Sequence, residues 1–293
     1  MKIFITGGAG FIGSNLIKKL ISIYDDILII SLDNYSTGLI NNHIKNDNIH
    51  YINGNTWDIF NIKEILEFTP DYVFHFGEYS RIHKSFDEPN KVFQSNFYGT
   101  QQILDYVVLK NSKLIYSGSS AIFGENSENL SPYAFTKSKN IELIKNYKKW
   151  YNLKFSICYF YNVYGDGQIK NGDYATVIGI FEEQFKNNKL LTVVKPGTQT
   201  RIFTHIEDII SGILLVATKG DGDGYVLAAK ESFSILDIVK LFESDFVLID
   251  SRKGERYTSI IPFNKMKTEF NWDAKNSLKD YIENLKFKLK KDI

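Results

Sequence analysis

Short apolar runs alternate with longer stretches of helical spacing along most of this chain, and the alternation begins at once. Lys2 to Ile5 reads as a strand, Thr6-Gly7-Gly8-Ala9-Gly10-Phe11-Ile12-Gly13-Ser14 as a glycine turn, and Asn15 to Ile21 as an amphipathic helix. Further strands are expected at Ile27 to Leu32, around His50-Tyr51-Ile52, and at Asp71 to Phe76, Lys113 to Tyr116 and Phe155 to Phe160. Between them lie a helix of about Asn61 to Phe68 that stops before Pro70, one of about Asn90 to Lys110, and one of about Pro132 to Trp150. In the second, Val92, Phe93, Phe97, Ile103, Leu104, Val107 and Val108 recur at helical spacing. Strands alternating with helices at this interval predict an α/β, Rossmann-like doubly wound parallel sheet with ligands at the carboxyl ends of its strands.

Beyond Tyr164 the pattern loosens. Gly165-Asp166-Gly167 leads to a helix near Ala175 to Lys186, a strand Leu191 to Val194 and a turn Lys195-Pro196-Gly197. A helix at Ile206 to Thr218, a strand at Tyr225 to Ala228, a helix at Ser234 to Phe242 capped by Ser234, and a lysine-rich helix at Leu278 to Leu289 follow. The organisation expected is a sheet domain over residues 1–164, with 201–230 returning to it. A smaller C-terminal lobe is built from 165–200 and 231–293 and closes over the sheet's edge.

The glycine turn carries the first chemistry. Gly7 allows a tight reversal, Gly10 lets backbone N–H groups approach a pyrophosphate, and Gly13 lets helix and strand pack closely. The spacing G-x-x-G-x-x-G differs by one residue from the general dinucleotide fingerprint G-x-G-x-x-G, which is weak when alone. Asp33, twenty residues after Gly13 at the end of the second strand, adds the carboxylate that accepts from an adenosine ribose. No lysine or arginine follows in Asn34 to Gly38 to receive a 2′-phosphate, so NAD is expected over NADP.

Composition narrows the class. Hydrophobic residues make up 43% and aromatics 15% of 293 residues, which is globular, and a net charge of +1 with scattered basic residues leaves no footprint for nucleic acid. The longest apolar runs are broken well short of a membrane span and no signal peptide precedes the first strand, so neither membrane nor export is expected. The single cysteine, Cys158, excludes an internal disulfide and any cysteine-based metal cluster; it reads as inert core in a reducing cytoplasm. Of 35 basic residues only Arg81, Arg201, Arg252 and Arg256 are arginine, so where arginine is kept its bidentate fork is a candidate reason.

Tyr133 and Lys137 stand one helical turn apart, on a helix that follows Ser119 and Ser120 at a strand's carboxyl end. A phenol, with a pKa ordinarily near 10, must drop roughly three units to act as a base at neutral pH, about 4 kcal/mol of differential stabilisation. A neighbouring ammonium and a positively charged nicotinamide ring can supply that together.

At these residues the chain resembles the extended short-chain dehydrogenase/reductase family, and most closely its NAD-dependent nucleotide-sugar epimerases of the UDP-galactose 4-epimerase type. The resemblance runs almost end to end: residues 6–14, Asp33-Asn34, Phe74-His75-Phe76-Gly77, Ser119-Ser120-Ala121, Tyr133-x-x-x-Lys137, Tyr159 to Gly165, Thr200 to Asp208, and Arg252-Lys253-Gly254-Glu255. It implies Tyr133 as catalytic base, Lys137 on the nicotinamide ribose, and Ser120 bridging the sugar hydroxyl. It assigns Gly7, Gly10, Phe11, Ile12, Gly13, Asp33, Asn34, Asn55, Thr56, Phe76 and Gly77 to the cofactor. Asn162, Arg201 and Arg252 fall to the nucleotide-diphosphate sugar, the last two as clamps on its diphosphate. It further implies a homodimer paired through the helices of about 90–110 and 132–150, whose Phe93, Phe97, Ile144 and Tyr147 exceed what one sheet-facing side needs.

The chain departs from that pattern at several points. Asn55 stands where relatives often carry an aspartate for adenine, Phe123 where tyrosine is common, the 125–131 segment is short, and Ser259 aligns with a gate residue at the sugar pocket. Relatives that dehydrate carry an Asp-Glu pair where this chain has Ser120-Ala121, the decarboxylating ones keep the glutamate, and the GDP-fucose epimerase-reductases put a cysteine at the position of Ala121. The expected reaction is therefore epimerisation, at C4 through a transient 4-keto sugar. A dehydratase or reductase of the same family, or a non-catalytic NAD sensor, is the alternative.

Overall fold

The computed structural model describes residues 1–123 and 127–291. Its strands in chain order are β1 (Lys2–Thr6), β2 (Leu28–Asp33), β3 (Ile49–Asn53), β4 (Tyr72–His75), β5 (Lys113–Ser119), β6 (Lys154–Phe160), β7 (Val163–Tyr164), β8 (Leu191–Val194), β9 (Thr200–Ile202), β10 (Thr204–His205), β11 (Gly222–Leu227), β12 (Ser232–Ser234) and β13 (Phe246–Ile249). Seven form one sheet in the order β11-β6-β5-β4-β1-β2-β3, every pair parallel. The order reverses direction between β1 and β4, which opens a crevice at their carboxyl ends.

Both faces of the sheet are covered, so its strands are apolar on both sides. Phe4, Val73, Leu114 and Ile157 face one layer of helices, 63–67, 99–110 and 132–151, through Ile65, Leu104, Val107 and Ile141. Their neighbours Ile3, Ile5, Phe74, Ile115 and Cys158 face the other layer, helices 11–23 and 206–219, through Leu16, Ile17, Leu20, Ile209 and Ile213. After β10, β11 pairs with β6 in parallel; it begins at Gly222, three residues before the expected Tyr225, and its register shifts between Gly222 and Tyr225. A separate core of Ile178, Phe181, Leu191, Val193, Ile238, Phe242 and Ile282 binds helices 177–186, 235–242 and 278–291 to the β8–β13 pair. Ser234 caps the second of these with a full capping box. Among the described residues no helix is long and apolar enough to cross a membrane.

Two expectations are corrected. The helix expected over 90–110 is not uniform: it runs Pro89–Val92, widens into a π segment Phe93–Tyr98, and resumes at Gly99–Lys110. The widened turn brings Asn96 inward, where it accepts from the Tyr79 amide at 2.6 Å and donates to the Tyr79 carbonyl at 3.0 Å. Gly99 then passes so close to the 56–61 turn that a Cβ there would stand 2.2 Å from Thr56 Oγ1. Secondly, Ile144 and Tyr147 are buried within the molecule, while Phe93 and Phe97 remain 43% and 39% exposed. The apolar surplus of the two helices is therefore the phenylalanines alone of those four. Of the short 125–131 segment, 125 and 126 lie outside the described residues, and 127–130 form a 3-10 turn.

His75, at the end of β4, is fully buried between Thr6 Oγ1 at 2.7 Å and Thr100 Oγ1 at 2.9 Å. Burial pushes its pKa down to about 4 from 6.5, so the folded protein holds it neutral. As pH falls below 6.5 the unfolded chain takes up this proton and the folded one does not, so stability is lost until about pH 4, on the order of 3 kcal/mol from this group. Urea unfolding at pH 7.5 and pH 5.0 should show a larger loss for the wild type than for His75→Asn.

Candidate active site

The glycine turn leaves β1 at Thr6 with no space for side chains. Gly7 has φ +74°, and a Cβ there would lie 2.8 Å from the Gly77 nitrogen; one at Gly13 would lie 2.2 Å from the Gly7 carbonyl. Gly10 precedes helix Phe11–Ile23, whose first-turn N–H groups have no side-chain cap and so remain for a ligand anion. At the neighbouring strand end Asp33 accepts from the Ala9 amide at 3.0 Å and the Tyr35 amide at 2.9 Å. Burial pushes its carboxyl up from the ordinary aspartate range, and those amides pull it back. A Cβ at Gly38 would meet the Asp33 carboxylate at 2.8 Å, so the following loop closes down on it. An amide-lined turn that tolerates no side chain, beside a carboxylate with no lysine or arginine in 34–38, fits the pyrophosphate and ribose of NAD.

From this turn a cleft of about 940 Å³ runs along the carboxyl edge of the sheet into the C-terminal lobe. Gly7, Gly10, Phe11, Ile12, Gly13, Asp33, Asn34, Thr56, Phe76 and Gly77 line the arm beside the glycine turn, Ser120, Tyr133 and Lys137 its middle, and Asn162, Arg201 and Arg252 its far arm. Asn55 is set back from the lining: its carbonyl accepts from Asn34 at 3.0 Å and its amide reaches Asp58 at 3.3 Å. Ser259 and Phe123 are likewise outside it. Ser259 bonds the Thr200 carbonyl at 3.4 Å, and the Phe123 ring packs tilted against Tyr159 and edge-on against Phe263. Asn162 donates its side-chain amide to the Ile202 carbonyl at 2.8 Å.

Tyr133 and Lys137 lie in the first turns of helix Pro132–Tyr151, which Ser131 caps by accepting from the Ala134 amide at 3.1 Å. Lys137 does not stand alone. Its ammonium donates to the Ser117 carbonyl at 2.5 Å and forms an ion pair with Glu78, both side chains almost wholly buried at 5% and 2% exposure. Glu78 also accepts from Tyr116 at 2.9 Å, from Asn140 at 3.0 Å and from Thr100 at 3.2 Å.

Sequence reasoning missed Glu78; its only signal there was a charged residue directly after a strand end in the apolar stretch Phe74 to Gly77. It also left Arg81 and Arg256 without a role, yet both line the same cleft, so all four arginines of the chain converge on it. Arg256 is buried, with its guanidinium on the carbonyl of Ser120 and 3.3 Å from that residue's hydroxyl. Desolvation lowers it to about 10. Arg201 is ion-paired to Glu255 and donates to its neighbour's carbonyl at Thr200 at 2.8 Å.

The chain matches known proteins over its whole length. The model of the NAD dependent epimerase/dehydratase family matches residues 3–228. A Methanocaldococcus jannaschii protein assigned as a UDP-glucose 4-epimerase is 30% identical, with 96% of each chain covered. The dTDP-D-glucose 4,6-dehydratase of Dictyostelium discoideum is 30% identical over 82% of this chain and 61% of its own. Among solved structures, the UDP-glucose 4-epimerase of Thermotoga maritima, crystallised with UDP-glucose, superposes with a TM-score of 0.91 at 27% identity, covering 100% of both chains. With the glycine turn, Asp33 and the Tyr133–Lys137 pair on one cleft, this chain belongs to the NAD-dependent epimerase/dehydratase family of enzymes, and its cofactor is NAD.

Proposed function

We propose that this enzyme epimerises a nucleotide-activated sugar at C4, through a transient 4-keto sugar. The observation that carries the reading is the convergence of Ser120, Tyr133 and Lys137 on one cleft with Ala121 beside them. A dehydratase or decarboxylase needs an acid at that point. Glu78 does not substitute for it, being committed to Lys137, Tyr116, Asn140 and Thr100. NAD, when bound, takes up and returns a hydride at the sugar carbon, so the net reaction consumes no second substrate. Tyr133 accepts the proton of the C4 hydroxyl and later returns it, and Ser120, its hydroxyl oriented by Arg256, shares that hydrogen bond. Arg201 and Arg252 hold the diphosphate while the sugar turns. The UDP-glucose epimerases among the relatives favour a UDP-sugar.

Tyr133→Phe removes the base and leaves the glycine turn and Asp33 untouched. Turnover of a panel of UDP-, dTDP- and GDP-sugars should fall by at least a thousandfold while the purified variant still carries NAD. Near wild-type interconversion by this variant, or stoichiometric consumption of NAD by the wild type, contradicts the mechanism.

A homodimer completes the reading. Phe93, Phe97, Tyr98 and Phe135 are exposed on the two helices expected to pair, and the rings of Phe93 and Phe135 are 6.1 Å apart, forming one apolar patch. Light scattering at micromolar concentration should give twice the 33.8 kDa chain mass.

A further inference from the structure

The four arginines of the cleft are not equivalent. Arg201 is balanced by Glu255, and Arg256 is engaged by Ser120. Three of the four lysines that line the cleft show the same economy of charge: Lys84 pairs with Asp173 at 2.7 Å, Lys91 with Glu88, and Lys137 with Glu78. Arg81 has no hydrogen-bond or ion-pair partner among the described residues, and its Nε is buried without one. Burial pushes its guanidinium down, and nearby Arg252 adds to that; only the hydroxyls of Tyr133 and Tyr174 act the other way. A desolvated guanidinium with no counter-ion is unfavourable, so the site as built is completed by an anion.

The position of Arg81 says which anion. It begins the short helix Ile82–Ser85, and the loop that carries Arg252 and Arg256 is pressed onto that helix. At Gly254, φ +74°, a Cβ would lie 2.6 Å from Ile82 Cγ2 and 3.0 Å from the Phe86 ring. Ile82 also packs against Tyr133 and Ala134, which holds Arg81 on the Tyr133 side of the cleft. If Tyr133 serves C4, the diphosphate leaves the pyranose from C1, across the ring, and Arg81 lies by the C4–C5–C6 edge instead. The geometry points to Arg81 as the counter-ion of a carboxylate at C6, which makes the substrate a nucleotide-linked uronate and not a neutral hexose. This rests on the epimerase reading above and specifies the sugar it acts on. A planar guanidinium matches a carboxylate bidentately, which explains an arginine here in a chain that elsewhere writes lysine.

Titration calorimetry on the NAD-loaded protein with UDP-glucuronate and UDP-glucose tests it. The wild type should bind the uronate at least tenfold more tightly. Arg81→Gln and Arg81→Met should bring the ratio of the two affinities close to one, with retained NAD reporting an intact fold. Equal affinities in the wild type, or a preference that survives both substitutions, overturns the uronate assignment and leaves the epimerase reading standing. Binding of neither sugar overturns the uronate assignment, and if no UDP-, dTDP- or GDP-sugar of the panel is turned over the epimerase reading falls with it.

Discussion

A fully buried chain of polar groups under the cleft fixes where everything else can be. Thr6 at the end of β1 bonds His75 at the end of β4, His75 bonds Thr100 on helix 99–110, and Thr100 reaches Glu78. Glu78 in turn holds Tyr116 of β5 and Lys137 and Asn140 of helix 132–151. Three adjacent strands and two helices are thus joined through side chains that would each be costly to bury alone. Thr6 Oγ1 also accepts from the amides of Phe76 and Gly77, at 3.2 and 3.0 Å, so the glycine turn and the β4 loop are fixed to the same node. Removing any single member leaves its partners unsatisfied, whereas the apolar layers outside tolerate changes that keep volume.

The parallel sheet converts this node into a site. Every strand end points the same way, so β1, β2, β4 and β5 deliver the glycine turn, Asp33, Glu78 and Ser120 to one edge. The far wall comes from the C-terminal lobe and is tied back at a few points. Tyr161 bonds the Ile260 carbonyl, and the Thr200 amide bonds the Tyr257 carbonyl at 2.9 Å. The arginine-bearing loop is therefore anchored at both β6–β7 and β9.

Periodicity and turn chemistry made the sheet legible in the sequence, because a strand covered on both faces is an apolar run and few other structures produce one. Ranges such as 132–151 and 206–219 differ from expectation by a residue. What was not legible depends on long-range contact. Asn96 draws the π segment inward through a loop seventeen residues away in sequence, and periodicity carries no trace of that. Asn55 aligns with a ligand position, and its side-chain oxygen also accepts from Asn34, a contact just beyond the ends of β2 and β3 that periodicity does not announce. Glu78 was invisible for a related reason: a charge in an apolar stretch announces burial or a loop, and only the arrival of Lys137 from 59 residues on distinguishes them. The arginine count succeeded partly, since it weighed residue type against the habit of the whole chain and needed no contacts.

These charges also redistribute the electrostatics of the catalytic centre. A lysine one turn from a tyrosine suggests that its ammonium favours the phenolate directly, but here the ammonium is offset at contact distance by Glu78, and the pair presents mainly a dipole to Tyr133. Positive charge is supplied instead by Arg81 and Arg256, which both lie within electrostatic reach of Tyr133 and neither of which is paired with a carboxylate. Lys137 then acts chiefly as a donor locked in place by Ser117 and Glu78, and Arg256 ties the same field to the orientation of the Ser120 hydroxyl. The field at the phenol thus depends on the loop that carries Arg256.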